Sequence, residues 1–156
     1  MDKDVRETAK EAFDRLRLPV HVTLETLVQH LEKLRGRTIK IVQSEQLTGK
    51  TICGLWIPRE TVDVIYHSAA RGKLHRQQLI LHELSHMILR HDEHEAATSQ
   101  GIQVFQELSG ELVAKALARG DFRSGLEAAA EHLADLLAAA IRESSHEIFR
   151  YEAYFE

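Results

Sequence analysis

Residues 82–86 of the chain read His-Glu-Leu-Ser-His, an instance of H-E-x-x-H. On a helix, residues four apart share a face, so His82 and His86 can both reach one metal ion. Glu83 lies beside them, where a carboxylate can take a proton from an attacking water. Two imidazoles and an adjacent acid are the parts needed for metal-assisted hydrolysis. The surroundings favour that use of the residues. From Leu79 to Leu89 the segment is apolar nearly all round, the mark of a helix sunk in a core. Two histidines and a glutamate there would be costly without partners, and a bound cation satisfies all three. The chain holds 10 His in 156 residues, so chance matches to the motif are more frequent than usual, and the elements that carry it must be weighed too.

A catalytic zinc needs a third protein ligand, with a further position left open. His91, Asp92 and His94 follow soon after the motif. The extended pattern H-E-x-x-H-x-x-G-x-x-H does not fit them, because Leu89 stands at its Gly position and Asp92 at its last His. Glu127, Glu131 and Asp135 are spaced four apart and project from one side of a downstream helix. Glu127 can be engaged as the N3 partner of Ser124 in a capping box. Glu131 falls further into the helix, flanked on its face by Ala134 and Ala138, which permit close approach. Asp135 is an alternative ligand or a hydrogen-bond partner of a ligating His. Periodicity leaves these choices open.

Around the motif, the chain reads as a single domain over residues 1–156 of α+β class. Residues 1–36 form two N-terminal helices. Asp4 and Glu7 offer a capping box for the first, and Val5, Ala9, Ala12, Phe13 and Leu16 follow at helical spacing. Thr23 opens the second and Gly36 closes it. Residues 38–66 carry three strand patterns, 38–42, 51–57 and 62–66. Their short connections predict a small, mostly antiparallel three-stranded sheet. The H-E-x-x-H helix is placed at 74–91. Residues 92–156 comprise a polar loop to about 106, a short helix ending near Gly120, a long Ala/Leu-rich helix from Ser124 to about Ser144, and an aromatic tail expected to dock on the body. The total is about five or six helices.

Composition narrows the classes further. Hydrophobic content of 44% and charged content of 28% are ordinary for a globular domain. A net charge of -4 with scattered Lys and Arg argues against direct nucleic-acid binding. Cys53 is the single cysteine, so no internal disulfide forms. No apolar run reaches bilayer-spanning length and no apolar signal core opens the chain, so the expectation is a cytoplasmic protein without membrane contact.

The segment from Glu131 to Ala138, Glu-His-Leu-Ala-Asp-Leu-Leu-Ala, resembles the E-x-x-A-[DEN]-x-x-A element of the ImmA/IrrE family of metallopeptidases. The block from Ile52 to Leu89 is similar to the same family, and the likeness covers roughly residues 38–141. The resemblance implies a zincin-like fold and a zinc site formed by His82, His86 and Glu131, with Glu83 as general base. It also implies cleavage of a protein substrate, an Xre-type helix-turn-helix repressor encoded nearby, and so a role in transcription regulation or a toxin-antitoxin pair. Manganese is an alternative metal. Tyr66 and His75 are candidates for oxyanion stabilisation. The substrate is expected to lie along an exposed strand edge, at 51–57 or 62–66. The competing readings are a non-catalytic, toxin-like or regulatory interaction module with a structural metal, and a metal-dependent hydrolase of a small molecule.

Overall fold

The computed structural model describes residues 3–47, 54–89 and 124–155. Helix α1 (Lys3–Leu16) and helix α2 (Leu24–Arg35) come first. Strand β1 (Thr38–Gln43) leads through a 3-10 turn (Glu45–Leu47) towards strand β2 (Gly54–Pro58) and strand β3 (Val62–His67). Helix α3 (Lys73–Ile88) carries the H-E-x-x-H residues, and helix α4 (Ser124–Phe155) is the last described element.

The ends of α2 are set by local chemistry. Thr23 is extended, and its side chain accepts from the Thr26 backbone N–H while Thr26 Oγ1 accepts from the Thr23 N–H in return. At the other end Gly36 turns left-handed at φ 65°, which a residue without Cβ adopts at little cost, and its N–H reaches the Glu32 carbonyl. Both assignments match the sequence reading. For α1 the match is looser, since Asp4 sits inside the first helical turn, not at the N-cap. The last helix runs eleven residues beyond Ser144, so the aromatic tail continues α4 as helix and is no separate segment.

The sheet differs from expectation in topology. Its order is β1-β3-β2, with β1 parallel to β3 and β2 antiparallel to β3. It is therefore mixed, and β3 is its centre. A tight connection, closed by Arg59 N–H to the Val62 carbonyl at 2.8 Å, folds β2 back onto β3. The longer link from β1 to β2 lets the chain cross over, so sequence neighbours β1 and β2 do not pair. Strand β3 is flanked on both sides and offers no edge, which removes 62–66 as a docking strand. The part of the second strand at 51–53, Cys53, the 92–106 loop, the helix near 112–120, and His91, Asp92 and His94 lie outside the described residues.

One face of the sheet meets the main core. Ile39 and Ile65 join Ile80, Leu81, Leu84 and Met87 of α3, Leu133, Ala134, Leu137 and Ile141 of α4, and the buried sides of α1 and α2. Alternation along the strands places Gly54, Trp56, Asp63, Ile65 and His67 on this face, and Val64 and Ile57 on the other. A polar knot fastens its lower corner. Asp63, fully buried, accepts from Arg35 at 2.8 Å, from Arg37 at 3.2 Å and from the Trp56 indole at 3.2 Å. These bonds tie α2, the link from α2 to β1, β2 and β3 together. Among the described residues, no helix is long and apolar enough to cross a membrane.

Candidate metal centre

Helix α3 turns Ile80, Leu81, Leu84 and Met87 into the core and leaves His82 and His86 on the side facing α4. Their rings meet edge to face with centroids 4.8 Å apart, and the two Nε2 atoms lie 3.3 Å from each other. From α4, Glu127 completes the group. Its Oε2 is 3.0 Å from His82 Nε2 and its Oε1 is 3.1 Å from His86 Nε2. One ligand atom from each of the three residues lies within 4.8 Å of the other two.

The third member of the cluster is thus Glu127, where the sequence reading chose Glu131. The cause is helix register. Gln78 Nε2 meets Asp135 Oδ1 at 3.4 Å while His86 meets Glu127, so α3 and α4 run antiparallel with these pairs abreast. Glu131, one turn from each, is level with His82 but exposed, and its charge reaches that ring only through space. Asp135 is likewise exposed and occupied by Gln78. Both Glu127 oxygens meet imidazoles, and the Ser124 side chain of the expected capping box lies outside the described residues. A sequence signal for this residue existed. Glu127-Ala128-Ala129-Ala130-Glu131-His132-Leu133-Ala134 fits E-x-x-A-[DEN]-x-x-A as well as the segment one turn later does.

The charges in the cluster shift one another. The hydrogen bonds from His82 and His86 hold the Glu127 carboxyl well below the usual carboxylate range, against the opposing pull of burial. Burial works to lower His82, but the bond to Glu127 and the charges of Glu83, Glu127 and Glu131 outweigh it and raise the imidazole above its ordinary value. Burial raises Glu83, and the neighbouring His86 and His82 offset only part of that. Glu83 is 7% exposed, and its Oε2 has no hydrogen-bond partner among the protein atoms. An orphaned buried carboxylate oxygen is costly, and such an atom persists where a water or ligand is meant to meet it.

The donor set fits a zinc ion on two counts. Two imidazole nitrogens and one carboxylate oxygen are zinc ligands by type. Ligands held tetrahedrally at zinc bond lengths stand about 3.3 Å apart; the two Nε2 atoms show that separation, and each has a different Glu127 oxygen beside it, at 3.0 and 3.1 Å. The site is also open on one side. The Glu127 side chain is 49% exposed and that of His82 is 32% exposed.

Neither candidate for oxyanion stabilisation joins the cluster. Alternation puts Tyr66 on the sheet face opposite Ile65 and His67, and its hydroxyl accepts from Arg59 at 3.4 Å. His75 lies two helical turns before His82, about 10 Å along the axis. Its Nδ1 accepts from the Arg71 backbone N–H at 2.9 Å. His67 is buried on the α3 face, opposite Gly54, with Nδ1 hydrogen-bonded to the Ser68 carbonyl. Besides Glu127, the residue at the site that sequence reasoning passed over is Gly54, which lies directly against Glu83.

Comparison with family models, with curated proteins and with solved structures matches none of them to this chain.

Proposed function

We propose that the protein is a zinc-dependent endopeptidase with a zincin-like arrangement, in which His82, His86 and Glu127 hold the metal and Glu83 is the general base. The observation that carries this reading is the pairing of the His82–His86–Glu127 group with a buried carboxylate whose Oε2 is unpartnered. Bound zinc supplies Lewis acidity, which brings the pKa of water towards neutrality and polarises a carbonyl. Glu83 takes the proton of the attacking water and returns it to the leaving nitrogen. Its burial, which raises its proton affinity, suits it to both transfers. Of the two strands proposed as a substrate edge, β2 remains, since it is an edge among the described strands and packs beside Glu83.

The resemblance of 131–138 and of the block from Ile52 to Leu89 to the ImmA/IrrE metallopeptidases supports a protein substrate, an Xre-type helix-turn-helix repressor encoded nearby. It also supports a part in transcription regulation, while the cytoplasmic setting rests on the single cysteine. A purely structural metal site has no use for an acid held like Glu83, which weighs against a non-catalytic module. The test incubates zinc-loaded protein with the helix-turn-helix protein encoded nearest its gene, and in parallel with a quenched-fluorescence peptide library. Manganese-loaded protein serves as a second arm. Cleavage is expected with wild type and lost by about a hundredfold to ten-thousandfold in Glu83→Gln, with metal retained. Equal turnover by the two proteins removes Glu83 from the reaction.

A further inference from the structure

We propose that Gly54 is a positioning residue, whose missing side chain leaves the space that fixes where the Glu83 carboxylate sits. The inference rests on the peptidase reading for its consequence in turnover, but the contact itself stands on geometry alone. A Cβ built on Gly54 would lie 2.9 Å from Glu83 Cγ and 3.2 Å from Glu83 Cδ. It would also lie 3.2 Å from the Tyr66 carbonyl oxygen. The first distance is shorter than carbon atoms tolerate, so one side must yield.

The surroundings decide which side. Gly54 is bound in the antiparallel register opposite His67, and the carbonyl crowding it belongs to the central strand. Strand β2 therefore has little room to retreat. Glu83 is the softer partner, and displacement at its Cγ carries the carboxylate with it. Backbone conformation does not call for glycine at this position. Among the described glycines, Gly36 is the one with positive φ, and Gly72 and Gly125 have open space where a Cβ would go. At Gly54 the glycine is required by the close approach of a side chain, and that side chain is the proposed base. The same approach brings the bordering strand to the acid with nothing interposed. A peptide paired on β2 would then find its backbone next to Glu83.

A thermal cycle on metal-free protein reads the contact directly. Gly54→Ala is expected to lower the Tm by about 3–8 °C in wild type, and by a similar amount in Glu83→Gln, which keeps the shape of the side chain. In Glu83→Ala the added methyl enters space that the truncation has vacated, and the cost should fall to about 1 °C or less. An equal cost in the Glu83→Ala background overturns the proposal and assigns the crowding to the Tyr66 backbone. On zinc-loaded protein, Gly54→Ala should keep its metal affinity and its KM but lose kcat by about tenfold or more. Unchanged kcat alongside the expected thermal coupling also overturns it, since the base would then tolerate displacement. A wild-type chain without peptidase activity would refute the peptidase reading, while the thermal cycle would still decide the contact.

Discussion

Removing Glu127 and removing Glu131 should have very different effects on metal binding. Glu127 places an oxygen 3.0 Å from one imidazole nitrogen and the other 3.1 Å from the second. Among the described residues it is the carboxylate that completes a three-residue group with them. Glu131 is exposed and acts on His82 through space alone. Residues that merely orient a metal ligand contribute about ten- to a hundredfold to affinity, so loss of a ligand should cost more than about a hundredfold in Kd. An exposed charge one turn away is screened by water and salt, and its removal should cost about fivefold or less. Glu127→Ala and Glu131→Ala should therefore differ by at least about twentyfold, read by zinc titration against a chromophoric chelator at fixed pH and salt. Both variants keep Ala130, Leu133 and Ala134 in the core and should fold. If Glu131→Ala releases the metal while Glu127→Ala keeps it, the register argument fails and α4 sits one turn away from its place here.

Three further outcomes follow from the same geometry. Glu127→Gln should lower the His82 pKa towards its ordinary 6.5, measured by NMR titration of the metal-free protein, because the strongest influence raising it is the bond to that carboxylate. The metal-free protein should lose stability as the pH rises through neutrality. His82 and Glu83 are both raised on folding, so each contributes when protonated and less once the pH passes its folded value. Glu127, depressed on folding, acts oppositely: its contribution is present above about pH 4.5 and is lost only in strong acid. Tm values across pH 5–9, roughly the His titration range and beyond, that rise with pH would contradict the first part. Finally, Asp63→Ala should cost about 2–4 kcal/mol by urea denaturation, since it removes the buried carboxylate that Arg35, Arg37 and the Trp56 indole share. A loss below about 0.5 kcal/mol would mean that the knot is incidental.

What could be read from the sequence and what could not divide along physical lines. Thr23 and Gly36 act through atoms a few residues away, so the bounds of α2 were legible. His82, Glu83 and His86 are fixed by one helical turn, and their spacing was enough to bring them together. The order of the strands depends on which edges meet after a crossover, and no local pattern in 38–66 encodes it. The same applies to the carboxylate that joins the two imidazoles. Acids at 127, 131 and 135 and alanines at 130, 134 and 138 repeat with the helix itself, so α4 looks alike to its partner at successive turns. Only packing distant from the imidazoles chooses among them, and Gly54 was invisible for the same reason, because its neighbour Glu83 is remote in sequence.

That distant packing includes Ser144. Its hydroxyl, buried near the far end of the core, accepts from the Val22 N–H at 3.0 Å. Seventeen residues of helix, about 25 Å, separate it from Glu127. A one-turn slip of α4 would break this latch and put Leu133 where the smaller Ala129 is buried, although it would deliver another acid to the imidazoles. The latch thus works as the stop on a ratchet with equivalent teeth. From the opposite end of the rod it favours one tooth over the next, so part of what brings Glu127 to the imidazoles lies far from the candidate site.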